Sequence, residues 1–102
     1  MFSSKLKRSS TVSTLFESVR LGRYDLPNRL VMAPMTRSRA NLDGTPGDLS
    51  PEYYSQRAEV GLVVTEGVQP SEDGQGYMAT PGIYTPEHIA AWRKTTDAVH
   101  SK

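Results

Sequence analysis

The chain has 102 residues, about one small domain. Its 12 Lys and Arg against 11 Asp and Glu leave a net charge of +1, which excludes the broad basic surface of a dedicated nucleic-acid binder and the character of an acidic tail protein. The absence of cysteine excludes a disulfide framework and a thiolate metal site, and no run approaches the ~18–20 apolar residues that a membrane-spanning helix needs.

Residues 1–14 hold Lys5, Lys7 and Arg8, five serines, two threonines and no acid. A disordered basic tail and an organelle-targeting segment are the two readings of such a start. From Leu15 the pattern becomes structured. Val19-Arg20-Leu21 and Tyr24-Asp25-Leu26 flank Gly22-Arg23, which predicts a small hairpin. Pro27-Asn28 breaks the chain, and Arg29-Leu30-Val31-Met32-Ala33, stopped by Pro34, reads as a buried strand. Residues 41–49 are rich in Gly, Pro and Asp and read as loop. Ser50-Pro51-Glu52 opens a helix, with Ser50 as the capping acceptor and Pro51 in the first turn. That helix is expected to run through Ala58 and to stop at Gly61 in a left-handed conformation.

The plan then repeats. Gly61-Leu62-Val63-Val64-Thr65 is a second short apolar run, placed 32 residues after the first when Leu30-Val31 is set on Leu62-Val63. A loop from Gly67 to Tyr84 follows, and Thr85-Pro86-Glu87 opens a second helix with Ile89, Trp92, Thr96 and Val99 as its inward stripe. Strands that are apolar on both faces belong to parallel sheets covered by helices. The fold class is therefore α/β: a hairpin plus two βα units, about a quarter of a ~250-residue eight-fold barrel. With fewer than three strands, the faces of Val31 and Val63 are expected to be partly wet.

Gly74-Gln75-Gly76-Tyr77-Met78-Ala79 satisfies the G-x-G-x-x-G/A dinucleotide pattern, but no helix is due after it to hold a pyrophosphate. It is read as loop, which disfavours a nicotinamide-binding module. His88 and His100 stand twelve residues apart on one helix, too far to share a metal. His88 is expected to be exposed in the first turn, and His100 to sit favourably at the helix end. No Ser/His/Asp grouping points to a hydrolase.

The stretch Pro27-Asn28-Arg29-Leu30-Val31-Met32-Ala33-Pro34-Met35-Thr36-Arg37-Ser38-Arg39-Ala40 resembles the first strand and loop of the old yellow enzyme family of FMN-dependent ene-reductases. Tyr53-Tyr54-Ser55-Gln56-Arg57-Ala58, Gly61 to Gly67, Gly74-Gln75-Gly76-Tyr77, Pro81 to Thr85, Trp92-Arg93 and Asp97 to His100 continue the likeness in order. The resemblance implies a TIM barrel, here partial over residues 15–102, with FMN at the C-terminal ends of the strands. It implies an oxidoreductase that takes hydride from NAD(P)H through FMN to a small enone or nitro-alkene, without nucleic acid or membrane, in the cytoplasm unless the basic start directs import.

By the same resemblance, Ala33, Pro34, Met35, Thr36 and Gly67 are cofactor contacts, and Thr36 is the catalytic candidate whose hydroxyl tunes the flavin. The bland readings are a turn cap for Thr36 and a simple turn for Gly67. Glu66 is either an acid/base group or, more simply, the partner of an arginine. Arg37 and Arg39 are solvated or salt-bridged rather than phosphate ligands. The family's glutamine on the flavin pyrimidine, its carbonyl-holding pair, proton-donating tyrosine and phosphate arginine would all lie past Lys102. A polypeptide of these 102 residues alone is thus expected to hold FMN weakly and to turn nothing over, and the alternative function is a non-catalytic βα fragment that works only with a partner completing the barrel.

Overall fold

The computed structural model describes residues 12–102. The expected basic tail lies outside these residues except at its end, where Val12–Leu15 forms one helical turn, α1. The Leu15 carbonyl accepts the Arg29 amide at 2.9 Å, which ties this turn to the entrance of the first parallel strand.

The hairpin forms as predicted. Strands β1 (Val19–Leu21) and β2 (Tyr24–Leu26) pair antiparallel, with Val19 opposite Leu26 and Leu21 opposite Tyr24. Gly22 takes φ 61°, the left-handed value that a two-residue hairpin turn requires at its first central position. The cross-strand pair of Arg20 and Asp25, 4.0 Å apart and solvated, adds little stability.

The two apolar runs pair in parallel: β3 (Val31–Met32) lies beside β4 (Leu62–Val63), with Val31 opposite Leu62 and Met32 opposite Val63. The ladder is shorter than the runs because Asn28 takes over the backbone at its entrance. Its Oδ1 accepts the Leu30 amide at 3.0 Å and the Gly61 amide at 2.7 Å, and its Nδ2 donates to the Glu59 carbonyl at 2.9 Å. The pair is not buried on both faces: Val31 is 55% exposed and Val63 is half-buried, as two strands alone would leave them.

Gly61 does not stop a helix in a left-handed conformation. Helix α2 covers only Ser50–Ser55, and the positive-φ glycines among the described residues are Gly22 and Gly44. Gly61 is required for a different reason: a Cβ there would run into the Asn28 backbone carbonyl. Ser50 is likewise not the cap. The chain enters α2 already curled, with the Ser50 amide bonded to the Gly47 carbonyl at 3.0 Å, so Leu49 holds the capping position. The Ser50 hydroxyl turns inward and accepts the Thr95 hydroxyl at 3.1 Å.

Helix α3 spans Pro86–His100 and is capped as expected, the Thr85 hydroxyl accepting the His88 amide at 3.0 Å. Its inward face is rotated from the predicted stripe. His88, Trp92 and Thr95 are buried, whereas Ile89 is 52% exposed and Thr96 is exposed. Polar side chains occupy the inner face because each finds a partner there. The apolar centre between α2 and α3 is Tyr54 and Trp92, ring centroids 6.4 Å apart, and the Trp92 indole donates to the Gly82 carbonyl at 3.0 Å.

His88 contradicts the expectation of an exposed first-turn residue, being 2% exposed. Its Nε2 donates to the Asp43 carbonyl at 2.9 Å, and its Nδ1 faces the Tyr84 amide at 3.4 Å. Gly44 (φ 88°) and Gly82 leave room for the ring: a Cβ at Gly44 would lie 3.0 Å from Nε2, and one at Gly82 2.8 Å from Cε1. His100 ends α3, as expected, and is exposed there. Among the described residues no His, Asp or Glu group could hold a metal ion, and no helix is long and apolar enough to cross a membrane.

The segment from Gly67 to Tyr84 is a loop closed by a parallel bridge between Gln69 and Gly82. The buried Gln69 side chain uses both ends on Thr80, donating to its carbonyl at 2.8 Å and accepting its hydroxyl at 3.1 Å. The Gly74-to-Ala79 pattern lies in this loop, beginning at the last residue of a short 3-10 turn (Glu72–Gly74), and the next helix opens only at Pro86, as the loop reading requires.

Candidate functional site

The residues after β3 and after β4 emerge side by side, because parallel strands end at the same edge of a sheet. Ala33, Pro34, Met35 and Thr36 are all exposed there, as is Gly67. Thr36 and Gly67, which are 31 positions apart, line one shallow recess of about 300 Å³ together with Val68, Gln69, Tyr77 and Thr80. Ala33, Pro34 and Met35 lie before the recess and do not line it. Among the described residues the Thr36 hydroxyl makes no hydrogen bond, so it caps no turn. Among the described residues, a Cβ at Gly67 would meet nothing within 4 Å. Crowding and positive φ therefore do not account for glycine there, and the backbone is open to whatever the recess takes.

Behind the recess lies a cluster that α2 organises. The Tyr54 hydroxyl donates to Glu66 Oε2 at 2.9 Å and accepts the Glu66 amide at 3.0 Å. Arg37 approaches the same carboxylate oxygen at 3.5 Å, and its guanidinium carbon lies 3.6 Å from the Tyr53 ring centroid. The arginine-partner reading of Glu66 and the salt-bridged reading of Arg37 are thus what the chain displays. Arg39 remains exposed, its guanidinium 3.5 Å from the Arg37 carbonyl. A second recess of about 370 Å³ lies between Arg37, Arg39, Asp48 and the start of α2, and mixes both signs of charge. In the loop beyond Arg39, the Thr45 amide and hydroxyl hold the exposed Asp43 carboxyl below its ordinary range.

Burial, reinforced by the adjoining Glu66 carboxylate, pushes the Tyr54 phenol up from 10.0 to about 12. The unfolded chain releases this proton near pH 10 and the folded chain near 12, so the contribution of Tyr54 to stability is whole below pH 10 and falls as pH rises towards 12. Denaturation midpoints measured from pH 8 to 12 are expected to drop in that window. In Tyr54→Phe the drop should be smaller, and an identical profile in the variant would contradict the assignment.

Sequence reasoning gave no role to Asn28, Tyr54 or Gln69, and it placed His88 in solvent. Only Asn28 carried a local signal, its place after Pro27 at the break before a strand.

Two βα units whose strands pair in parallel, with an open recess past the strand ends, are the repeating unit of a TIM barrel. The chain belongs to the NADH:flavin oxidoreductase / NADH oxidase family, whose model matches residues 14–102. It is 44% identical over 98 residues to the flavin oxidoreductase hxnT of Emericella nidulans, a match over 91% of this chain and 25% of that protein. Among solved structures it resembles morphinone reductase in complex with tetrahydroNAD (46% identity, TM-score 0.81, 85% of this chain and 24% of that one). It also resembles the old yellow enzyme from Trypanosoma cruzi (40% identity, TM-score 0.85, 90% and 25%). The chain spans about a quarter of the length of these relatives.

Proposed function

We propose that Thr36 and Gly67 face FMN, and that the protein is an oxidoreductase drawing hydride from NAD(P)H for the C=C bond of small enones or nitro-alkenes. The observation that carries this reading is the meeting of an unspent hydroxyl and a bare glycine backbone in one recess past the ends of parallel strands. Barrel chemistry is placed at that edge. The residues fit a planar, polar-edged ring: the recess is open and shallow, and its walls offer the Thr36 hydroxyl and exposed backbone. FMN, when bound, supplies the two-electron redox chemistry. Thr36 would give its hydroxyl to the polar edge of the ring, and Gly67 would let the backbone approach it. Ala33, Pro34 and Met35 would carry Thr36 into place from the end of β3. Family membership and the likeness to a nicotinamide-bound reductase support both cofactors.

The test is Thr36→Val in the full native chain. Valine keeps the shape at an exposed position, so only the hydrogen bond is lost, a net ~0.5–1.5 kcal/mol. FMN affinity by fluorescence titration is expected to weaken about two- to twelvefold, with unchanged circular dichroism. Equal affinity in variant and parent would contradict the assignment of Thr36.

A further inference from the structure

The two residues assigned to the cofactor are each the immediate neighbour of a residue in the cluster behind the recess: Thr36 precedes Arg37, and Gly67 follows Glu66. The last backbone hydrogen bond between their two segments is the Val64 amide to the Met32 carbonyl at 3.1 Å. Past it, among the described residues, no backbone bond joins residues 33–37 to residues 65–68. What crosses the gap is the Arg37–Glu66 ion pair at 3.5 Å.

The geometry points to Arg37 as a positioning residue that, by pairing with Glu66, holds Thr36 and Gly67 at a set spacing across the rim. Both partners are themselves anchored on one helical turn. The face of Tyr53 carries the guanidinium, 3.6 Å from the ring centroid. The Tyr54 hydroxyl grips Glu66 twice, by its carboxylate at 2.9 Å and by its amide at 3.0 Å. Consecutive residues of α2 therefore set the two strand-end segments, and the ion pair locks one to the other.

Energetics favour a geometric role over a stabilising one. The Arg37 side chain is 23% exposed and that of Glu66 5%, so both charges lose much of their hydration. Among the described residues, the Arg37 Nε is buried without a hydrogen-bond partner. A largely buried pair with an unsatisfied donor is weak evidence for net stability, whereas fixing a unique arrangement is a role such pairs serve in some proteins. Although this role rests on reading Thr36 and Gly67 as cofactor contacts, its test needs no cofactor, so the two can fail separately.

The test is nitrogen-15 relaxation on the full native chain without flavin, comparing Arg37→Met, Glu66→Gln, the double variant and Arg37→Lys. Glu66→Gln keeps an acceptor for the Tyr54 hydroxyl, so the contact with α2 survives while the charge pair is lost. It decides the matter should Arg37→Met fail to fold. Backbone order parameters at Thr36 and Gly67 are expected near ~0.85 in the parent and below ~0.6 in each single variant, with Val64 unchanged. The double variant should lose no more than either single one, because both remove the same link. Arg37→Lys keeps the charge over Tyr53 and should recover part of the loss. Unchanged order parameters at both positions in Glu66→Gln, losses that simply add in the double variant, or an equal fall at Val64 would each overturn the assignment.

Discussion

Gly61→Ala is expected to undo the docking of β4 against the entrance of β3 and to destabilise the protein by about 4 kcal/mol or more. The methyl group would be built into the Asn28 backbone carbonyl, and neither party is the flexible end of a side chain that can swing away. The shift needed to relieve the overlap would also pull the Gly61 amide from Asn28 Oδ1, now 2.7 Å away, and strain the bond from the Leu30 amide to that same oxygen. Three effects then fall on one junction: steric overlap, a lost hydrogen bond and a loosened strand entrance. Urea denaturation followed by circular dichroism measures the loss. A variant within about 0.5 kcal/mol of the parent, as at an ordinary surface site, would show that the close approach of the two strands is not what holds this edge together.

Trp92→Ala is expected to lower stability by about 3–5 kcal/mol. Trp92 and Tyr54 are the buried hydrophobic residues of the described chain, so the indole is a large share of the apolar contact between α2 and α3. Its removal also leaves the Gly82 carbonyl without the indole donor at 3.0 Å, and that carbonyl belongs to the segment bridging back to Gln69. The loss should therefore spread from the helix pair into the loop that walls the recess. Trp92→Phe refills most of the volume without the N–H and should recover a large part of the loss. Equal losses in the two variants would mean that the Gly82 bond, rather than packing, dominates.

What was legible in the sequence was what depends on near neighbours. The hairpin at Gly22-Arg23 follows from a glycine able to take positive φ between two alternating triplets. The Thr85 cap follows from a hydroxyl three residues before the amide it accepts. The parallel pairing of Val31-Met32 with Leu62-Val63 follows from two apolar runs separated by a helix signal.

Polar burial was not legible, because its partners are remote in the chain. Ser50 meets Thr95, and His88 meets Asp43, each across 45 positions. A serine before Pro-Glu looks like a cap, and a histidine in a first turn looks solvated, until the partner is seen. The same cause rotated the inward face of α3: apolar periodicity favours Ile89, but Thr95 and His88 have their hydrogen bonds waiting inside. At the candidate site, Thr36 and Gly67 were singled out only through the family resemblance, and their common recess was not legible, since residues 31 positions apart meet solely because their strands are parallel.

The most direct measurement is a crystal structure of the full native chain with FMN. The expected result places the Thr36 hydroxyl within hydrogen-bonding distance of the polar edge of the flavin ring, with the Gly67 backbone against the same ring. A flavin bound with both residues remote from it would contradict the assignment.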